Sequence, residues 1–286
     1  MTRGLSIHIG VNVVNAGHYG PGVPELEGCV NDSATVSAIA TAAGFDVSSQ
    51  LLNEAATVAK VTSAIQSASG TLHAGDILLV FYAGHGAQVP DGNGDEDDGY
   101  DETWCLYDRM LVDDELYTLW NGFEAGVRIL VISDSCHSGT VTRAMSLVES
   151  AMVLAPHPLT RAAKSVLPLP TKFRRLPREA EVYAYENNKQ LYDAIQRENP
   201  QGDKAGVGAT VLALAACQDN QLAGETNGAG TFTTGLNLVW NGGAFTGTYP
   251  QFFAKIIPLI HDAQTPKYTL VGAPNFLFQH QRPFTI

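Results

Sequence analysis

Apolar residues gather in four short runs: LSIHIGV (5–11), DILLVFYA (76–83), VRILVIS (127–133) and ATVLALAA (209–216). Continuous runs of this length, rich in β-branched residues, predict strands buried on both faces, as in a parallel sheet. Between them the pattern turns helical. GCVNDSATVSAIATAAG (28–44) predicts a helix ending at Gly44. ATVAKVTSAIQSA (56–68) puts Val58, Val61, Ile65 and Ala68 on one face, behind Thr57 as N-cap. REAEVYAYENNKQLYDAIQREN (178–199) predicts another helix, and TYPQFFAKIIPLIHDA (248–263) a last one in spite of Pro258. Strands alternating with helices predict an α/β fold, a central mostly parallel sheet with helices on both faces. Two stretches break the rhythm. Residues 150–178 are Pro-rich and without period, which predicts a long exposed loop. DGNGDEDDGYDE (91–102) predicts a loop by its glycines and aspartates.

Composition narrows the function classes. With 286 residues, 45% hydrophobic and 16% charged, the chain can bury a sizeable core. A net charge of −12 argues against a nucleic-acid partner and for attraction of cations. No stretch approaches the roughly 18 apolar residues of a membrane span, and MTRGLSIHIG lacks a secretory pattern, so a cytoplasmic protein is expected. Cys29, Cys105, Cys136 and Cys217 form no CxxC pair, which points to reduced thiols rather than zinc or disulfides. Ten of the seventeen Lys and Arg crowd into 143–204.

The candidate chemistry sits where two of the strands end. One ends in YAGHG (82–86), the other in SDSCHSG (133–139). In open α/β sheets, ligands bind outside the carboxyl ends of strands. His85 and Cys136 both fall there, flanked by small residues that let backbone N–H groups approach a ligand. A thiolate attacks a carbonyl, and an imidazole can give a proton to the leaving amine. His137 adjoins Cys136, but consecutive side chains diverge, so it reads as a loop-shaping neighbour. His8 reads as a core histidine.

YAGHG and DSCHSG, with LEGCVNDS upstream and ACQDNQLAGE downstream, resemble the metacaspases, more narrowly the bacterial metacaspase-like proteases called orthocaspases. The likeness runs from about residue 5 to 275, and a His roughly 50 residues before the Cys is also the caspase spacing. It implies a caspase-like fold in one domain, 1–286: a large-subunit-like part (1–142) with the dyad, a basic linker (143–205) and a small-subunit-like part (206–286). It implies Cys136 as nucleophile, His85 as general acid/base, and the N–H groups of Gly86 and Cys136 as the oxyanion hole. Cys29, Asp32 and Asp134 would line a pocket for Arg or Lys, with Ala83 where relatives often carry Ser, and Asp219 and Gln221 would line the cleft. Paired carboxylates suit a guanidinium. The expected activity is therefore endopeptidase cleavage of proteins or peptides after Arg or Lys, by a monomer that processes itself near KFRRLPRE (172–179). The alternative is an inactive caspase-fold interaction module.

A metal is the remaining question. Asp91, Asn93, Asp95, Asp97 and Glu102 fit EF-hand spacing, but Glu96 replaces the glycine that loop needs. The calcium constellation of related enzymes matches Asp101, Asp113 and Asp114, while its fourth acidic position is Arg143. A guanidinium there would serve as a permanent internal cation. No required cofactor is expected.

Overall fold

The structure is a computed structural model describing residues 2–92, 94, 99–136, 167–199, 206–217, 222–261 and 264–286. Its centre is a six-stranded sheet in the order β12-β9-β7-β3-β1-β2. The four apolar runs supply β1 (Gly4–Gly10), β3 (Ile77–Ala83), β7 (Arg128–Asp134) and β9 (Thr210–Ala215). These strands are parallel to one another, as is β2 (Asp46–Leu52) on β1. Only β12 (Lys267–Gly272) runs antiparallel, against β9.

Period-two alternation explains why these runs are apolar throughout. In β3, Leu78, Val80 and Tyr82 face one core, while Ile77, Leu79, Phe81 and Ala83 face the other. The first core is closed by α3 (Val58–Ser69) and α4 (Asp113–Asn121). The second is closed by α2 (Cys29–Ala42), α7 (Thr231–Trp240) and α8 (Tyr249–Ile256). Helix α3 forms as its spacing predicts. Thr57 accepts a hydrogen bond from the Lys60 N–H, and Val58, Val61, Ile65 and Ala68 are its buried residues. Burying a Val or Ile side chain contributes about 1.5–3 kcal/mol, so this stripe docks the helix.

Two small antiparallel sheets sit at the carboxyl end of the large one. β4 (Gly86–Pro90), β5 (Tyr100–Cys105) and β6 (Met110–Val112) form the first. β8 (Lys172–Phe173), β10 (Gly224–Thr226) and β11 (Ala229–Gly230) form the second. Among the described residues, no helix is long and apolar enough to cross a membrane.

Several expectations need correction. The exposed loop over 150–178 does not hold for its described end: β8 pairs with β10, and Arg174 and Leu176 are fully buried. The single helix over 178–199 is two, α5 (Arg178–Asn187) and α6 (Lys189–Glu198), broken at Asn188. The helix expected over 248–263 ends at Ile256 and is not the last, since Phe276–His280 forms a further short one; Pro258 lies in a 3-10 turn after Ile256, because proline has no N–H to continue the ladder. The loop over 91–102 ends early, at β5, so Glu102 is a buried strand residue that accepts a hydrogen bond from Gln88. That register removes the twelfth ligand from an EF-hand. Asn93, Asp95 and Asp97 lie outside the described residues.

Candidate active site

His85 lies between β3 and β4, and Cys136 lies just past the end of β7. Ala83 pairs with Asp134 across β3 and β7, so the two chain segments leave the sheet side by side. The His85 carbonyl is held twice, by the Tyr82 hydroxyl at 2.7 Å and by the Cys105 N–H at 3.0 Å. The Tyr82 ring stacks on Trp104, whose Nε1 donates to Ser133 Oγ in β7. Both strand ends are thus locked from below. Gly86 is packed so tightly on the Cys136 backbone that a Cβ there would overlap the Cys136 carbonyl oxygen. This is the physical reason for a glycine after His85.

The two reactive groups differ in their partners. His85 Nε2 donates to the Pro24 carbonyl at 2.9 Å, which fixes the tautomer. Its buried Nδ1 has no hydrogen-bond partner among the described residues. Burial lowers the imidazole pKa, opposed by the Pro24 carbonyl. The Cys136 Sγ accepts from the Ala223 N–H at 3.0 Å. Burial, with Cys217 alongside, pushes this thiol well above its ordinary range, and the Ala223 N–H works the other way. Both directions favour the neutral form of each group. His137 lies outside the described residues.

The cleft beside them holds part of the chain itself. Arg174 N donates to the Ala223 carbonyl at 2.9 Å, and Thr171 N to the Glu225 carbonyl at 2.9 Å. The Gly86 N–H donates to the Arg174 carbonyl at 2.9 Å, and Leu176 N to the Gly86 carbonyl at 3.0 Å. Residues 171–176 therefore lie as an extended strand across the site, between β10 on one side and Gly86 on the other.

The Arg174 side chain fills an acidic cage. Nη2 donates to Asp32 Oδ2 at 2.5 Å and to Glu225 Oε2 at 3.2 Å. Nη1 donates to the Asp134 carbonyl at 2.9 Å and lies 3.1 Å from Asp134 Oδ1. Arg174 and its three carboxylate partners are nearly or fully buried. Leaving such charges unpaired costs several kcal/mol each, so each has further donors. Asp32, in the first turn of α2, accepts from the Gly230 N–H. Asp134 accepts from the Thr233 N–H and hydroxyl at the start of α7, where a helix N-terminus favours an anion. Glu225 accepts from the N–H groups of Glu27 and Gly28. Burial holds the Asp32 carboxyl up at about 6, against the pull of Arg174 and with Asp134 adding to the rise. A Cβ at Gly230 would collide with Asp134 Oδ2 and with Arg174, so glycine is required there.

Of the residues expected to line a cationic pocket, Asp32 and Asp134 contact the guanidinium directly. Cys29 is buried beside it, and Ala83 forms part of the apolar floor on the Asp134 face. Glu225 and Gly230 were not foreseen as cage residues. Glu225 had one signal, its place in the ACQDNQLAGE segment, while Gly230 had none. Asp219 and Gln221 lie outside the described residues. Asp101, Asp113 and Asp114 do come together: buried, each offers an oxygen, and these oxygens lie within 4.8 Å of one another. Gln196 Nε2 donates to Asp101 at 2.6 Å. An all-carboxylate set is chemically suited to a hard cation such as calcium. Arg143 lies outside the described residues.

Residues 11–274 match the family model described as Caspase domain. Metacaspase-1 of Mycosarcoma maydis is 26% identical over 263 residues, 86% of this chain and 64% of that protein. Metacaspase-1A of Neurospora crassa is 37% identical over 133 residues, 41% of this chain and 29% of that protein. The chain thus spans less than two-thirds of the length of these relatives. The crystal structure of protein GSU0716 from Geobacter sulfurreducens superposes with a TM-score of 0.83 at 40% identity, over 99% of both chains. Caspase-1 from Spodoptera frugiperda superposes with a TM-score of 0.51 at 12% identity, over 94% of this chain and 86% of that one, a likeness of fold.

Proposed function

This chain belongs to the caspase-domain family, and on that premise we propose that it is a metacaspase-type cysteine endopeptidase that cuts after arginine and processes itself at Arg174–Arg175. The observation that carries the reading is Arg174 in the acidic cage with its carbonyl on the Gly86 N–H. In this reading Cys136 Sγ attacks the carbonyl carbon of the bound arginine. His85 Nδ1 takes the thiol proton and passes it to the departing amine. Water then cleaves the thioester, with Nδ1 as base. Because Nε2–H is held on Pro24, Nδ1 is the nitrogen with a lone pair to use, and a lowered pKa keeps it able to accept a proton at pH 7. The Gly86 N–H faces the oxygen that becomes the oxyanion, and such a donor contributes about 100- to 1,000-fold in rate.

Arginine is preferred over lysine because the cage uses the whole fork. Nη1 serves Asp134 while Nη2 serves Asp32 and Glu225, and a single ammonium cannot reach both walls so well. The same occupancy makes the uncut chain its own inhibitor, since an outside arginine must displace Arg174.

Intact-mass and terminal analysis tests the reading. Incubated protein is expected to yield fragments ending at Arg174 and beginning at Arg175. Cuts elsewhere in 143–204 alone would overturn that assignment. A protein that hydrolyses no arginine peptide, before or after limited proteolysis, would instead be an interaction module.

No step above runs through a metal. Asp101, Asp113 and Asp114 would hold calcium, which would relieve their mutual repulsion where β5 meets α4. In the cofactor-free reading the Arg143 cation takes that role. EDTA is then expected to leave arginine-peptide hydrolysis unchanged, and loss restored by calcium would overturn the cofactor-free reading.

A further inference from the structure

We propose that Glu27 selects a lysine or arginine two residues before the cut arginine, so that the substrate class is an extended segment of the pattern basic–any–Arg. This rests on the protease reading above and adds a second specificity contact to it. The backbone of residues 171–174 is fixed in register by Thr171 N on the Glu225 carbonyl and Arg174 N on the Ala223 carbonyl. β8 and β10 pair as Lys172 with Glu225 and Phe173 with Gly224. In an extended strand, side chains two apart share a face. Lys172 and Arg174 therefore point the same way, toward the acidic wall, and Phe173 between them remains 47% exposed. The middle position is not read.

Lys172 meets specific partners. Its Nζ lies 2.6 Å from Glu27 Oε1 and donates to the Glu25 carbonyl at 3.1 Å. The segment bearing these groups is tied to the arginine cage, because the Glu27 N–H donates to Glu225, the residue that also binds Arg174. One segment, from Glu25 to Asp32, thus reads both basic residues. Glu27, Glu225 and Glu25 together raise the Lys172 pKa. The side chains of Lys172 and Glu27 are 37% and 66% exposed. An exposed pair contributes little, so the expected selectivity is several-fold rather than the large factor of the buried cage.

The experiment measures kcat/KM for acetyl-Ala-X-Ala-Arg-aminocoumarin peptides with X as Lys, Ala or Glu, on the whole protein. The wild type is expected to favour Lys over Ala by about threefold and over Glu by about tenfold. Glu27→Gln is expected to erase most of that ranking, read as the ratios of kcat/KM among the three peptides within each protein. The ranking should also shrink from low to high salt, because the pair is exposed to screening. If Glu27 merely latches Lys172 of the chain itself, Glu27→Gln will raise turnover of all three peptides equally and keep their ratios. That result, or equal turnover of the three by the wild type, would overturn the proposal. No turnover of any of them would overturn the protease reading and this inference with it.

Discussion

Cys136→Ala is expected to lower arginine-peptide hydrolysis by at least about 10⁴-fold, the scale on which removal of a catalytic nucleophile acts. It should also leave the Arg174–Arg175 bond uncut. The substitution removes one sulfur atom from a site whose other parts do not depend on it. Its sulfur meets Ala223, at 3.0 Å from the N–H and 3.6 Å to the carbonyl, and has the Cys217 thiol alongside. The cage is held by Gly230, Thr233, Glu27 and Gly28. The Gly86 N–H is positioned by the backbone. Folding, read by circular dichroism and thermal unfolding, should therefore survive. Cys217 is the control. It is buried nearby and donates to the Ser135 carbonyl at 3.4 Å, so it could be mistaken for the nucleophile. Cys217→Ala is expected to retain hydrolysis. A Cys136→Ala protein that still turns over, or a Cys217→Ala protein that does not, would overturn the assignment.

The parts of this molecule that could be read from sequence are those with a periodic signature. Strands β1, β3, β7 and β9 are apolar throughout because helices cover both faces, and α3 carries a clean stripe behind Thr57. His85 and Cys136 were legible because each follows such a strand. Strand β2 was not, since DVSSQLL lies at the sheet edge and is largely exposed. Strands β6, β8, β10 and β11 were missed because two or three residues give too few positions to alternate, and the start of β5 was hidden by the acidic run it follows. Arg174 was hidden for a sharper reason. Composition makes a basic, Pro-rich stretch look like solvated loop, and KFRR reads only as a place to cut. What buries Arg174 is not its neighbours in sequence but Asp32, Asp134 and Glu225, each from a different element. No local pattern encodes that meeting.

That meeting sets the second large effect. Asp134→Asn is expected to lower kcat/KM for arginine peptides by about 30- to 5,000-fold, since truncating one side of a buried charge pair costs about 2–5 kcal/mol. Peptides with citrulline in place of arginine carry no cation and should lose far less, so the arginine-to-citrulline ratio isolates the cage from the dyad. The same ratio should depend on pH through Asp32. With Arg174 bound, the Asp32 carboxyl sits at about 6, raised by burial and lowered by the cation. With the cage empty the cation's pull is absent, and we expect that loss to outweigh the added hydration of Asp32, so that its carboxyl sits higher still. An arriving arginine must then expel a proton wherever the pH lies between these two values. The ratio is thus expected to fall as pH drops from the empty-cage value toward about 6, and to level off below it, where the proton stays on in both states. In Asp32→Asn no proton remains to expel from that position, so the ratio should start low and stay flat across the window. A wild-type ratio that is already flat there, or an Asp134→Asn loss shared equally by citrulline peptides, would mean that the three carboxylates stabilise the fold without choosing the substrate.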